Sequence, residues 1–289
     1  MELLNTLYNL MGLVFVLGTM ASMGLSLTMK QITGPLRSVR FVIVALLANF
    51  VVPPILAFIL IQVFSLDEPL AVGLLLVSLA AGAPSLPKTA VFAKVDTAAA
   101  TGLMVLLVVA TIIILPIALP FLLTGLSVTF WDIASGLVYL ILIPLAVSLF
   151  VRARYPEAAA SALPHFTQAS NLSLLILLVL MVVLNFSDVV GLLGSGGLLA
   201  SLILVILTVA GGYLLGRLGK AGSWLQGLGA GQRNIAAAMV VATMNFGNEE
   251  IVMVVVYSLI TLLVMTPLAL ELGKRRAARA EATAKTNVA

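Results

Sequence analysis

The sequence predicts an all-α membrane protein of nine transmembrane helices, built as an inverted repeat with two discontinuous helices. Three observations carry that expectation. Of 289 residues, 62% are hydrophobic and 9% charged, with a mean hydropathy of +1.23, a balance that no soluble core requires. Uncharged runs long enough for a bilayer core of about 30 Å, or roughly 20 helical residues, recur along the chain. Two further runs of similar length each hold one cation among helix breakers. There is no cysteine, which excludes disulfides and thiolate metal sites.

In chain order, the first run, Leu3 to Met29, has neither a basic leading segment nor a small-residue cleavage site and reads as a retained span. Phe41 to Leu66 is the second, and Pro69 to Val95, with Lys88 inside it, is the third. Thr97 to Trp131, Ile133 to Val151, Phe166 to Ser187 and Val189 to Gly216 follow. Gly222 to Asn245 holds Arg233, and Ile251 to Leu270 completes the set of nine.

Charge placement tests this count, since one span too many would reverse every later loop. One set of alternate loops holds Lys30, Arg37, Arg40, Lys94, Arg152, Arg154, Arg217 and Lys220, and the tail on the same side holds Lys274, Arg275, Arg276, Arg279 and Lys285. The opposite loops hold Glu2, Asp67, Glu68, Asp132, Asp188, Glu249 and Glu250. The rule therefore predicts an outside N-terminus and a cytoplasmic C-terminus, in a multi-pass protein of a bacterial inner membrane. The tail, 273–289, reads as a disordered basic anchor near anionic lipid.

The two cation-bearing spans are also the interrupted ones. AGAPSLPKTA places Pro84 and Pro87 three apart, each removing a backbone donor. In GLGAGQRN, Gly227, Gly229 and Gly231 make a continuous helix locally costly. Irregular backbone at membrane depth is tolerated only where protein or water satisfies it, so the breaks should be buried together or line a cavity. Spans three and eight are five apart, and an odd-numbered repeat inserts its two copies in opposite directions. LPIAL at 115–119 and TPLAL at 266–270 echo each other. The expected organisation is a first repeat over 1–124, with its broken helix at 69–95. A second covers 125–272, with its broken helix at 222–245, and the tail follows.

Four segments resemble the bile acid:sodium symporter family. They are MGLSLT at 23–28, LANFVVPPILAF at 47–58, FAKVDTA at 92–98 and GAGQRNIAAAMVVA at 229–242. They occur in the family's order and cover nearly the whole chain, in a nine-span form that lacks the first helix of ten-span members. The resemblance implies two crossed discontinuous helices in a core domain, a smaller panel of spans one, five and six, and sodium-coupled uptake of organic anions into a cavity between them.

The departures from the family are informative. Alignment from FAKVD places the family's Ser-Asn sodium ligands on Leu86 and Pro87, and its hydroxyl ligands on Ala100 and Met104. At the second break its Glu falls on Gly229 and its Gln on Arg233, while Asn49 stands where a family Gln serves the second sodium. Sodium prefers several hard oxygen ligands. Here apolar side chains and a cation replace them, and no span contains Asp or Glu. The reading is a secondary transporter of organic anions by alternating access, independent of sodium, in which Lys88 and Arg233 take over the electrostatic role of the missing ions.

The candidate substrate and coupling residues are Arg233, Lys88, Asn234, Gln232, Asn49, Ser85 and Thr89, with Pro84, Pro87, Gly229 and Gly231 shaping the breaks. An intramembrane charge is costly and functional by default. Lys88, about seven residues from a basic loop, also lies within snorkelling reach of water. Asn234, Gln232 and Asn49 serve equally well to satisfy broken backbone, and Ser85 and Thr89 to bond back to their own helix. His165 beside Pro164 reads as interfacial, Asn185 as a span-end polar residue, and Gly196 with Gly197 as a turn.

The expected partner is a small organic anion with an apolar body, together with membrane lipid. Neither nucleic acid nor a protein partner is implied. No cofactor or metal is expected, and proton coupling through a dehydrated lysine stays open. Two alternatives remain: a conventional sodium-coupled symporter, and a membrane sensor or channel. An enzyme is disfavoured, because it would need a nucleophile with a base or a metal cluster.

Overall fold

The computed structural model describes residues 2–28, 31, 38–123, 128–184, 186, 190–191 and 194–286. Lys30, Arg37, Asn185, Asp188 and the expected repeat boundary at 124/125 lie outside them. Among the described residues every regular element is helical. The helices are α1 (Glu2–Ser26), α2 (Val39–Phe50), α3 (Val52–Phe64), α4 (Glu68–Leu79), α5 (Leu86–Phe92), α6 (Thr97–Leu122), α7 (Phe130–Leu137), α8 (Ile143–Arg154), α9 (Pro156–Leu184), α10 (Gly197–Leu218), α11 (Ser223–Gly231), α12 (Ile235–Asn245) and α13 (Asn248–Thr286).

Among the described residues, seven helices are long and apolar enough to cross a membrane: α1, α2 with α3, α6, α7 with α8, α9, α10 and α13. They correspond to the seven uncharged runs. The two cation-bearing runs are each a pair of shorter helices, α4 with α5 and α11 with α12. A π-helical turn, Val138–Leu142, joins α7 to α8. Pro144 just beyond it has no N–H for the Leu140 carbonyl, which relaxes the regular ladder there.

The second break differs from expectation in its cause. Gly227, Gly229 and Gly231 are all helical, and the helix stops only at Gln232. Their missing side chains serve packing: a Cβ on Gly229 would lie 2.8 Å from Leu103 Cδ2. In the first break, Gly82 takes a left-handed φ of +86°, and a Cβ there would lie 2.5 Å from the Val108 amide nitrogen. Both constraints exclude any other residue.

Two more expectations are corrected. The tail is not disordered as far as Thr286, because α13 runs unbroken from Asn248. Beyond Gly273 it is Ala, Lys, Arg, Glu and Thr without a breaker, mostly strong helix formers, and Arg275 Nε pairs with Glu271 Oε1 at 2.6 Å one turn back. His165 does not open its span; α9 begins at Pro156, so His165 lies in its interior on an exposed face. The Gly196 turn is present, with φ +78°, and Gly197 opens α10.

The packing separates two groups. Helices α1, α8 and α9 lie against one another, and α9 has its main contacts with those two alone. The four short helices lie among α2, α3, α6, α10 and α13, and α12 also packs on α7 and α1. Their core is almost wholly aliphatic, with Leu74, Leu76, Leu79, Leu103 and Leu107 fully enclosed.

Candidate functional site: a buried guanidinium between two helix breaks

Proline placement decides which backbone carbonyls are left over. A helical carbonyl is normally capped by the N–H four residues on. Pro53 stands four residues after Asn49, and Pro84 four after Ala80, so both carbonyls lose their helical donor. The Ser78 and Ala230 carbonyls lie in the last turns of α4 and α11, where the helices end before a donor arrives. Four orphaned acceptors thus come from three separate chain segments.

The break residues 232–234 collect all four. The Asn234 amide donates to the Ala80 carbonyl at 2.8 Å, and Ala81 and Arg233 form an antiparallel bridge. The Arg233 side chain takes the other three. Its Nε donates to Ala230 O at 3.1 Å, Nη1 to Asn49 O at 3.1 Å and Ser78 O at 3.4 Å, and Nη2 to Asn49 Oδ1 at 3.5 Å and to Ala230 O. Asn49 is held in register by its own Nδ2, which donates to Ala45 O at 2.9 Å.

These contacts use the full donor capacity of a guanidinium. Arg233 is only 3% exposed, and among the described residues no carboxylate pairs with it. The charge is met instead by carbonyl dipoles at the ends of α4 and α11 and at the α2/α3 junction, where helix termini carry partial negative charge. Tyr257 of α13, fully enclosed, sits beside the guanidinium with its hydroxyl outside hydrogen-bond geometry.

The remaining polar residues of the breaks divide their work. Gln232 Nε2 donates to Thr89 Oγ1 at 2.8 Å, linking the second break to α5, while its Oε1 is buried without a donor. Asn234 Oδ1 caps α12 by accepting from the Ala237 amide at 3.1 Å. Thr111 of α6 closes the first break from the side: its hydroxyl accepts from the Ala81 amide and donates to the Ala81 carbonyl, both at 3.0 Å.

Beside this network lies a dry region. Leu86, Ala100, Leu103 and Met104 are each at most 2% exposed, and Leu86 and Leu103 fill the space a side chain on Gly229 would occupy. Among them are positions the resemblance aligned with sodium ligands. As they stand they offer methyl and methylene groups, with one thioether, and no hard oxygen.

Lys88 does not share the guanidinium's surroundings. It is exposed on α5, and Ser85, just before that helix, is exposed too. The reason is helical phase: each residue turns by about 100°, so the buried Thr89 faces Gln232 while its neighbour Lys88 projects elsewhere. Lys88 thus lies on the outer face of α5, away from the enclosed guanidinium. Pro84 lies in the break and Pro87 in the first turn of α5, where proline is tolerated.

Sequence reasoning missed Thr111, Tyr257 and the Ser78 carbonyl. Thr111 and Tyr257 sit in long apolar runs, where a hydroxyl usually bonds back to its own helix. Asn49 was found for its amide, yet its carbonyl does as much, and the signal for that is the proline four residues later.

Comparison with known families is decisive at this point: the model of the Sodium Bile acid symporter family matches residues 11–192. The chain belongs to that family. The matched segment contains the first break, Asn49 and Lys88, and ends before Arg233. Comparison with curated proteins finds no match. Family membership makes the chain an integral, multi-pass membrane transporter of bile-acid or organic-anion type, and the family is one of transporters, not enzymes.

Proposed function

We propose that this family member is a sodium-independent secondary transporter of small organic anions, in which Arg233 is a permanent replacement for a coupling cation. The supporting observation is that one guanidinium gathers the orphaned carbonyls of Asn49, Ser78 and Ala230. A sodium ion bound between two helix breaks would draw on the same kind of oxygens. A tethered cation cannot leave with substrate, so it cannot couple an ion gradient to transport. Arginine also keeps its proton at accessible pH, which removes it from proton coupling.

On this reading the chain has nine spans in two inverted repeats, with α4/α5 and α11/α12 as the crossed discontinuous pair. Helices α1, α7 with α8, and α9 form the panel against which the core rocks. Arg233 uses its donors internally, so the substrate anion meets Lys88 and Ser85, which are exposed on and beside α5. The proposed setting is a bacterial inner membrane with an outside N-terminus, without cofactor or metal.

A second reading has one observation in its favour. Gln232 Oε1 is buried at the second break without a donor, and an unmet buried oxygen suits a cation. The test separates the two. Purified protein is melted with a panel of organic anions, in sodium or in choline, as wild type and Arg233→Gln. Stabilisation that ignores sodium and is lost in the variant is expected; stabilisation that requires sodium would replace this proposal with a conventional symporter.

A further inference from the structure

A second site lies away from the breaks, at the end of the bundle that carries the basic loops. A cleft of about 830 Å³ opens there between the starts of α2, α6 and α11 and the tail end of α13. Arg40, Lys220 and Arg276 line it from three different segments, against one carboxylate, Asp96. Phe41 and Trp224 also line it.

The backbone adds to the charge. Three helix N-termini face this cleft, and two are closed by their own side chains: Ser38 Oγ accepts from the Phe41 amide at 3.3 Å, and Asp96 Oδ1 from the Ala99 amide at 3.0 Å. The third, α11, starts from Gly222 with no side-chain cap. Its first amides have no intrahelical acceptor and carry the positive end of a helix dipole. Lys220 holds a left-handed φ of +49° just before it. Glycine would adopt that turn at lower cost, so a strained lysine stands at the cleft mouth. Among the described residues, Arg40 and Arg276 each donate from one nitrogen to a backbone carbonyl, Leu218 O at 3.5 Å and Lys94 O at 3.0 Å.

We propose that this cleft binds a phosphate-bearing anion, with Arg40, Lys220 and Arg276 as the charged clamp and the open amides of α11 as the backbone cradle. Convergent cations over an uncapped helix N-terminus are the general recipe for phosphate recognition. The volume suits a phosphodiester head group or a small soluble phosphate. Occupancy would tie α11 of the second break to Arg276, whose Nη1 holds the Lys94 carbonyl just after α5 of the first, and so brace both discontinuous elements from one end. This does not rest on the sodium-independent reading.

The test uses full-length protein in neutral detergent, followed by thermal unfolding. The probes are inorganic pyrophosphate, and micelles doped with phosphatidylglycerol or with phosphatidylcholine, against sodium chloride of matched ionic strength. Two variants are compared with wild type: the triple Arg40→Gln, Lys220→Gln, Arg276→Gln, and Ser223→Asp. The latter puts a fixed anion on the open first turn, where it favours the helix while filling the cradle.

We expect a saturable rise in wild-type Tm of several degrees, and at least a tenfold weaker apparent affinity in both variants. A response to phosphatidylglycerol but not pyrophosphate identifies a lipid head group, and a response to pyrophosphate a soluble phosphate; either supports the site. No rise beyond chloride with either probe, or an undiminished rise in both variants, overturns it.

Discussion

The two breaks do the same topological job by opposite chemistry. The first is made by proline: Pro84 takes away the donor of Ala80, and the Ala80 and Ala81 carbonyls turn to donors from other segments, the Asn234 amide and the Thr111 hydroxyl, beside a left-handed Gly82. The second follows a glycine-rich helix and is made by polar side chains, with Gln232, Arg233 and Asn234 supplying donors. One break is an acceptor surface and the other a donor surface. Neither is stable alone in a low-dielectric interior, where an unmet polar group costs on the order of 1–3 kcal/mol; together each satisfies the other.

Removing the donor side should show this most sharply. Arg233→Met strands the Asn49, Ser78 and Ala230 carbonyls, and we expect a loss of about 3–5 kcal/mol, seen as the largest Tm drop of any single change in the breaks. Arg233→Lys should recover less than half, since a compact ammonium cannot reproduce the planar fork. A lysine variant as stable as wild type would mean that charge alone, without geometry, joins the breaks.

Thr111→Val comes next. It unpairs the Ala81 carbonyl and leaves the Ala81 amide with the Leu79 carbonyl alone, for about 1 kcal/mol, whereas Ser85→Ala, at an exposed position, should leave Tm unchanged. Equal effects would erase the distinction between an enclosed first break and its exposed edge.

Pro53→Ala probes the origin of the acceptors. The new N–H would compete with Arg233 for the Asn49 carbonyl, and we expect about 1 kcal/mol of destabilisation despite better helix propensity. A variant more stable than wild type would show that the proline-freed carbonyl contributes nothing to the guanidinium site.

The smallest effect on stability belongs to Lys88→Gln. An exposed residue that makes no hydrogen bond among the described residues should change stability by less than about 0.5 kcal/mol. The same variant should lower the apparent affinity for an organic anion in ligand-dependent melting. Unaltered affinity would remove Lys88 from the substrate path and leave Arg233 as the sole functional cation of the two.

The positions of the seven long helices were legible in the sequence because a bilayer permits only one backbone solution for a long apolar run. Both interruptions were legible too, since proline and an intramembrane charge are each costly enough to mark their place. Helix ends were less so. The run from Phe166 understated α9 by a full ten residues, as Pro156 against Phe166 shows, because polar ends of a helix leave no hydropathy signal.

By itself the sequence determined the class of protein, the family, the places where two helices stop, and the residue that carries a charge between them. It did so through terms that are local and large: desolvated charge, missing N–H groups and uncharged length. Only the tertiary structure decided what that charge does. Which carbonyls Arg233 reaches, that Thr111 closes the first break, and that Lys88 turns outward while Thr89 turns inward all depend on contacts between segments 30 to more than 180 residues apart. Such contacts are set by packing and helical phase, whose individual energies are small and whose partners no linear pattern specifies.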